Sequence, residues 1–214
     1  MADPARSMEP LALADQGPVI PVIVISELDA AVPLARALVE GGVRVLEVTL
    51  RTPIALEAIA AIARAVPDAI VGAGTVRSAL DVQAALDAGS RFAVSPGYTE
   101  AIGTACAQRG LALLPGVATA SEVLRASADG YRFLKFFPAA AAGGVPMLKA
   151  LAGPFGDIVF CPTGGIDATT ARDYLALPNV RVVGGSWLTP ADAVAARDWS
   201  RITRLARTAS TLRA

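Results

Sequence analysis

The sequence contains no histidine, and only two of its 19 basic residues are lysines. Without histidine the chain lacks the most common transition-metal ligand and the most common general base. Acid–base chemistry therefore falls to carboxylates, lysine or tyrosine. A transition-metal site is disfavoured, although an all-oxygen magnesium site stays open. We expect the protein to work without a metal ion or an organic cofactor.

Cysteine is also scarce: Cys106 and Cys161 lie far apart and outside any CxxC pattern, which predicts two reduced thiols in a cytoplasmic protein. No apolar run approaches the ~20 residues of a membrane span. Positions 1–17 lack the basic start and apolar stretch of a secretion signal. The formal net charge is zero and the basic residues are scattered, so neither nucleic acid nor a membrane surface is an expected partner.

Helical stretches that end in glycine and lead directly into short apolar runs recur along the chain. The glycines suit left-handed helix C-caps, and alternating strands and helices favour parallel pairing. We predict a short N-terminal tail or helix over residues 1–17 and one (β/α)8 TIM-barrel domain over residues 18–214. A flavodoxin-like open sheet is the alternative, but no GxGxxG follows the first strand. The predicted strands are Val19–Ile25, Val43–Val48, Ala69–Gly72, Arg91–Val94, Leu111–Leu114, Tyr131–Phe136, Asp157–Phe160 and Val180–Val183.

Lys135 stands within the apolar run Phe133–Pro138, in a chain where 17 of the 19 basic residues are arginines. A desolvated lysine can become a neutral amine, whereas arginine stays protonated. A neutral amine in a pocket can form a Schiff base with a carbonyl compound. Strand alternation places Lys135 on one face with Phe133 and Phe137. The alternative is a lysine that extends from a strand end to water.

Glu47 lies between two apolar residues of the second predicted strand, where an unpaired carboxylate is costly to bury. If the strand remains extended, Glu47 and Arg51 share one face. The sequence supports two interpretations: a structural Glu47–Arg51 ion pair, or an acid/base at Glu47 with Arg51 as a clamp for a carboxylate.

Glycines and polar residues follow several predicted strands, at the end where barrel enzymes carry their sites. Gly72 and Gly74 would let the backbone approach a ligand, and Thr75 could donate to a carboxylate. The loops with Gly164-Gly165 and Gly185-Ser186 follow the last two strands, the usual phosphate-binding position in such barrels. Trp187 is expected to pack beside its loop. Together these features predict a substrate with a carbonyl, a carboxylate and a phosphate.

Seven motifs follow one another along the chain: Leu46–Thr52, Gly72–Val76, Ala93–Gly97, Leu114–Val117, Leu134–Ala139, Phe160–Ile166 and Gly184–Leu188. In this order they resemble the motifs of the 2-dehydro-3-deoxy-phosphogluconate (KDPG) aldolase family over about residues 18–205. The family's members are metal-free class I aldolases that release pyruvate and glyceraldehyde 3-phosphate, and many also cleave 4-hydroxy-2-oxoglutarate. The usual assembly is a homotrimer.

The resemblance implies a role for each matching residue. Lys135 would form the Schiff base and Glu47 would carry protons. The pyruvate carboxylate would lie on Arg51 and Thr75, and the remaining positions would line the pocket (Pro96, Phe137), lie near the carboxylate (Thr163) or hold the phosphate (Gly164, Gly165, Gly185, Ser186).

One position departs from the family, because Ala140 stands where many members carry a glutamate. This difference would affect either the substrate preference or the stability of the loop that begins at Ala140. Two other functions stay open: a phosphosugar isomerase or epimerase with Glu47 as base, and a non-catalytic protein on an aldolase scaffold.

Overall fold

The structure is a computed structural model that describes residues 10–212, so the first nine residues of the predicted tail lie outside it. A 3-10 helix, Pro10–Gln16, precedes the first strand. The strands are β1 (Val19–Ile23), β2 (Val45–Thr49), β3 (Ile70–Gly74), β4 (Phe92–Val94), β5 (Ala112–Leu114), β6 (Gly116–Val117), β7 (Phe133–Phe136), β8 (Val159–Pro162) and β9 (Val183–Gly185). The helices are α1 (Leu28–Glu40), α2 (Ala55–Ala65), α3 (Ala79–Asp87), α4 (Glu100–Arg109), α5 (Ala120–Ala128), α6 (Gly144–Ala152), α7 (Ala171–Leu175), α8 (Ala191–Ala195) and α9 (Trp199–Ser210).

The strands pair in parallel in two sheets, with orders β5-β4-β3-β2-β1-β9 and β6-β7-β8. Strands adjacent in the chain are neighbours, without the reversal of order that defines a doubly wound sheet. Two isolated parallel bridges, Phe160↔Val180 and Thr163↔Gly184, connect β8 with the segment that carries β9. The predicted parallel α/β fold is therefore confirmed. Each of the eight predicted strands overlaps an observed strand, although the last shares only Val183 with β9.

The fifth predicted strand, Leu111–Leu114, corresponds to β5, and Pro115 separates it from β6, a short strand that was not predicted. Proline has no amide hydrogen to donate to a neighbouring strand. Its carbonyl still accepts a hydrogen bond from the Lys135 amide at 2.9 Å, which aligns β6 with β7. One continuous segment of chain thus contributes a strand to each sheet.

Side chains alternate between two buried clusters. An outer cluster lies between strands and helices and includes Val48, Ala73 and Leu134. An inner cluster comes from the opposite strand face and includes Leu13 and Ala14 of the 3-10 helix, which therefore packs beneath the strands. Its other members are Ile20, Val45, Ile70, Phe92, Val94, Ala112, Leu114, Phe133, Cys161 and, just before β9, Val182.

Helix ends follow the chemistry expected from the sequence. Thr119 caps α5 in a complete capping box with Glu122, which satisfies backbone N–H groups of the first turn. At the other ends, the predicted left-handed glycines are confirmed: φ is 88° at Gly42, 89° at Gly89 and 64° at Gly110. These tight turns deliver each chain segment to the start of the next strand.

Candidate active site

A buried amine–carboxylate pair lies above the inner cluster. Lys135 of β7 donates from Nζ to Oε1 of Glu47 on β2 at 3.2 Å. Lys135 is 4% exposed and Glu47 is 2% exposed. Since β2 and β7 belong to different sheets, the inner faces of the two sheets oppose each other at this point. The prediction that Lys135 points inward is confirmed, and the alternative of a lysine extending to water is wrong.

The Phe137 ring, predicted to share a strand face with Lys135, lies close to the amine. Nζ of Lys135 lies 5.3 Å from the centroid of the half-buried Phe137 ring. On the next strand Cys161 pairs in register with Lys135. Burial raises the pKa of the Cys161 thiol to about 12, so this neighbour is uncharged at neutral pH. Lys135 is thus enclosed by apolar groups, with Glu47 as its charged partner.

Arg51 and Thr75 meet at the rim, on the chain segments that follow β2 and β3. Nε of Arg51 donates to Oγ1 of Thr75 at 3.1 Å. Among the described side chains Glu47 pairs with Lys135 and not with Arg51, so the structural Glu47–Arg51 ion pair is wrong. The reason is local: β2 ends at Thr49, and the Arg51 amide bonds back to the Thr49 carbonyl at 2.8 Å, which turns the chain.

Two threonines that the sequence analysis did not single out hold this rim together. Thr49 donates from Oγ1 to the carbonyl of Ile23 at 2.9 Å. Thr52 donates in the same way to Ile25 at 2.7 Å. These bonds attach both sides of the Arg51 segment to the end of β1. The three-residue spacing of Thr49 and Thr52 was only a weak signal for these bonds. A hydroxyl that bonds to a neighbouring strand leaves no pattern in the sequence.

The predicted glycines of β3 have side-chain partners instead of open space. A Cβ atom on Gly72 would lie 2.5 Å from the Phe92 ring. A Cβ atom on Gly74 would lie 2.6 Å from Cγ of Glu47 and overlap its Oε1 atom. The expectation that both glycines admit a ligand is therefore corrected: protein side chains occupy the space beside them.

Thr163 and the two glycines after β8 lie at the same end of the strands as Lys135. Thr163 is 5% exposed, and its Oγ1 donates to the Cys161 carbonyl at 3.4 Å. Gly164 and Gly165 adopt φ values of 101° and 72° that favour glycine. Gly165 is exposed, which leaves its backbone accessible at the rim.

The loop that begins at Ala140 is attached to the Gly164 loop by main-chain bonds. The Ala139 amide donates to the Thr163 carbonyl at 2.8 Å, and the Ala140 amide donates to the Gly164 carbonyl at 3.0 Å. Ala140 itself is exposed. Because backbone atoms make these bonds, the loop keeps its attachment with alanine at this position.

The segment after β9 presents one polar side chain at this rim. Ser186 is exposed, whereas Gly185 is buried. A Cβ atom on Gly185 would overlap the Trp187 ring, so the prediction that Trp187 packs beside its own loop is confirmed. Pro96, also exposed, contacts Gly116 of β6, the register partner of Lys135. Nine of the eleven predicted site residues therefore lie at or beyond the carboxyl ends of β2, β3, β4, β7, β8 and β9, and the other two, Glu47 and Lys135, lie within β2 and β7.

Comparison with known proteins identifies this arrangement. The family model described as KDPG and KHG aldolase matches residues 12–205. The chain belongs to this aldolase family. It is 57% identical to 2-dehydro-3-deoxy-phosphogluconate aldolase of Pseudoalteromonas atlantica, over 91% of this chain and 90% of that protein. It is 55% identical to the KHG/KDPG aldolase of Escherichia coli K12, over 90% and 91% of the two chains.

A solved aldolase structure has the same fold. The crystal structure of KDPG aldolase from Legionella pneumophila, with pyruvate captured at low pH as a covalent carbinolamine intermediate, is 49% identical to this chain. The TM-score is 0.93, and the match covers 95% of this chain and 99% of that one.

The described residues contain no cluster of three or more histidine, cysteine, aspartate or glutamate side chains that could hold a metal ion. Over the same range, no helix is long and apolar enough to cross a bilayer. Cys106 and Cys161 are both buried and free, which confirms that they form no disulfide. For the aldol chemistry of this family, the site offers an amine, a carboxylate, a guanidinium and hydroxyls.

Proposed function

We propose that this protein is a class I aldolase that cleaves 2-dehydro-3-deoxy-6-phosphogluconate to pyruvate and glyceraldehyde 3-phosphate. One observation carries the proposal: in a chain of the KDPG and KHG aldolase family, the Lys135 amine is buried and lies 3.2 Å from the Glu47 carboxylate. Schiff-base chemistry needs an amine kept from water and a group that accepts its protons. The covalent pyruvate adduct in the Legionella pneumophila enzyme fits this assignment.

In the proposed reaction the neutral Lys135 amine attacks the C2 ketone and forms a carbinolamine. Loss of water gives an iminium, which accepts the electron pair of the C3–C4 bond as that bond breaks. Glu47 takes the proton of the C4 hydroxyl, which becomes the aldehyde. The enamine that remains is then protonated at C3, and hydrolysis of the new iminium releases pyruvate and restores the amine.

The carboxylate of the substrate would bind where Arg51 and Thr75 meet. Their 3.1 Å hydrogen bond places a planar cation and a hydroxyl together at the rim, where the segments that follow β2 and β3 meet. A guanidinium suits a carboxylate because its parallel N–H groups can form two bonds. Thr163 would lie near this group, while Pro96 and Phe137 would line the pocket.

The phosphate would bind at Gly164, Gly165, Gly185 and Ser186. Support comes from the left-handed backbone of Gly164 and Gly165, which exposes N–H groups, and from the exposed Ser186 hydroxyl. Backbone N–H groups bind anions without a basic side chain. An aldolase of Zymomonas mobilis, 48% identical with a TM-score of 0.91, was crystallised with 3-phosphoglycerate.

The test of the covalent step is reductive trapping. Wild-type protein incubated with pyruvate and borohydride should gain one reduced adduct, located on Lys135 by peptide mass spectrometry. Lys135→Arg should abolish both the adduct and cleavage, because arginine cannot supply a neutral amine. The matched control is Lys149→Arg on the exposed face of α6, which should keep both. Cleavage by Lys135→Arg at the wild-type rate would refute the assignment.

Trapping also separates the rival functions. An isomerase or epimerase with Glu47 as base forms no adduct, and an inert scaffold neither forms an adduct nor releases pyruvate. Substrate range needs kinetics: we propose 4-hydroxy-2-oxoglutarate as a second substrate, giving pyruvate and glyoxylate, since the Escherichia coli relative is named KHG/KDPG aldolase. Comparing kcat/KM for the two C4 epimers and for an unphosphorylated analogue would rank the candidates.

The same family membership supports three broader proposals. The two sheets form one closed (β/α)8 barrel, supported by the β5–β6 chain segment and the bridges next to β9. The protein is a homotrimer, which light scattering would report as three times the mass of one chain. It acts in the cytoplasm in the Entner–Doudoroff route, and its two free thiols fit a reducing compartment.

A further inference from the structure

Gly74 lies directly against the carboxylate of Glu47. A Cβ atom built on Gly74 would lie 2.6 Å from Cγ and 2.9 Å from Cδ of Glu47, and would overlap Oε1. Oε1 is the atom that accepts the hydrogen bond from Lys135. Because glycine has no side chain, position 74 leaves free the space in which the catalytic oxygen lies.

The backbone at Gly74 gives no other reason for glycine. Gly74 is the last residue of β3 and is not among the glycines with positive φ. Any residue could adopt its extended conformation. The three nearest atoms to the added Cβ all belong to Glu47, in contrast to Gly72, where all three belong to Phe92. An alanine at position 74 would thus act on Glu47 before any other group.

Glu47 has little freedom to yield. It is 2% exposed, and its strand neighbours Leu46 and Val48 are fully buried. Its Cγ would itself be in contact with the new methyl group, so rotation of the carboxylate alone would not relieve the overlap. The side chain or the β2–β3 pairing must shift by an appreciable part of an ångström.

We propose that Gly74 is a positioning residue that sets the place of the Glu47 carboxylate against Lys135. This inference rests on the proposed aldolase function. A displacement of about 1 Å at a catalytic group can cost on the order of 100-fold in rate. The effect should fall on proton transfer, because Lys135 keeps its own strand and its place beneath Phe137.

The experiment compares Gly74→Ala with Gly153→Ala, where an added Cβ makes only an ordinary 3.8 Å contact with the Ala150 carbonyl. Exchange of the pyruvate methyl protons with deuterium, followed by NMR, reports proton transfer. Borohydride trapping at Lys135 reports covalent bonding. We expect Gly74→Ala to slow exchange by about two orders of magnitude and to keep the adduct, whereas Gly153→Ala retains both.

A Glu47→Ala background distinguishes this role from general damage to β3. Glu47→Ala removes Cγ, Cδ and Oε1, the three atoms nearest to the new methyl group. Gly74→Ala should therefore lower Tm in the wild-type background and leave it unchanged when Glu47 is alanine. Wild-type exchange rates in Gly74→Ala, or equal losses of Tm in both backgrounds, would overturn the inference. If the wild type does not exchange pyruvate protons, the proposed function fails, while the Tm comparison still tests the positioning.

Discussion

Replacing Lys135 by methionine would separate the stability of the buried pair from its chemistry. Lys135 and Glu47 lie 3.2 Å apart, with side chains 5% and 3% exposed. At an effective dielectric constant of about 20, two unit charges at this separation attract by roughly 5 kcal/mol. Desolvation of both groups offsets much of that attraction. Lys135→Met removes the attraction but leaves the carboxylate buried, so we expect a loss of about 3–5 kcal/mol in the free energy of unfolding.

The double variant Lys135→Met/Glu47→Leu supplies the comparison. Replacing both members of a buried ion pair by apolar residues is often neutral or stabilising by about 1–4 kcal/mol. The double variant should therefore regain the loss, although we expect neither variant to form the pyruvate adduct proposed for Lys135. Since 1 kcal/mol shifts Tm by about 2–4 °C in a domain of this size, the single variant should melt roughly 6–20 °C below wild type.

Urea unfolding and calorimetry of the four proteins would measure these differences, with Lys149→Met at an exposed position as the matched control. The reasoning fails if Lys135→Met is as stable as wild type, because the buried carboxylate would then have found another partner. It also fails if the double variant is no more stable than the single one. In that case lost packing, and not an unpaired charge, would explain the change.

Three further predictions concern titrating groups. Cys106 and Cys161 should be inert to a thiol reagent in the native state and both react after unfolding, since both are buried; fast native labelling would contradict this. Burial raises the pKa of Cys106 to about 11 and of Cys161 to about 12 in the folded protein. The thiols of the unfolded chain therefore ionise at a lower pH, and the free energy of unfolding should fall from about pH 8.5 upward. A urea midpoint that is equal at pH 8 and pH 10 would rule this out. Hydrogen bonds from Thr169 and Thr170 lower the pKa of Asp167 to about 2, so in the folded protein the carboxylate should keep these bonds, in the turn before α7, below pH 4 and lose them only as the pH falls through about 2; a carboxyl carbon that titrates near 4 by NMR would disprove it.

The inward direction of Lys135 and Glu47 could be predicted from the sequence. Each lies in a short apolar run, and the twofold alternation of a strand assigns it to one face. Their contact could not be predicted in the same way, because the two residues are 88 positions apart and their strands belong to different sheets. The two side chains meet only because the curvature of the sheets brings their inner faces together. The resemblance to the family implied this proximity indirectly, because it assigned both residues to one active site.

Alternation was misleading where a strand ended early. Arg51 would share a face with Glu47 only if β2 continued beyond Thr49. The turn that returns the Arg51 amide to the Thr49 carbonyl ends the strand and directs the guanidinium to Thr75. Such a turn depends on bonds from Thr49 and Thr52 to the neighbouring β1 segment. Strand length is thus a tertiary property here, which is why the bounds were less predictable than the strands themselves.

Glycine shows the same limit most clearly, because one residue type has two physical roles in this chain. At Gly110 the backbone requires it: φ is 64°, and an added Cβ would meet no atom within 4 Å. At Gly74 and Gly184 the backbone would accept alanine, but the neighbouring strand places Glu47 or Thr163 where the methyl group would be. The first role follows from the local helix-to-strand pattern and was predicted. The second role depends on which side chain the neighbouring strand places beside the glycine. A glycine at an inner strand position therefore indicates a polar neighbour only after the pairing of the strands is known.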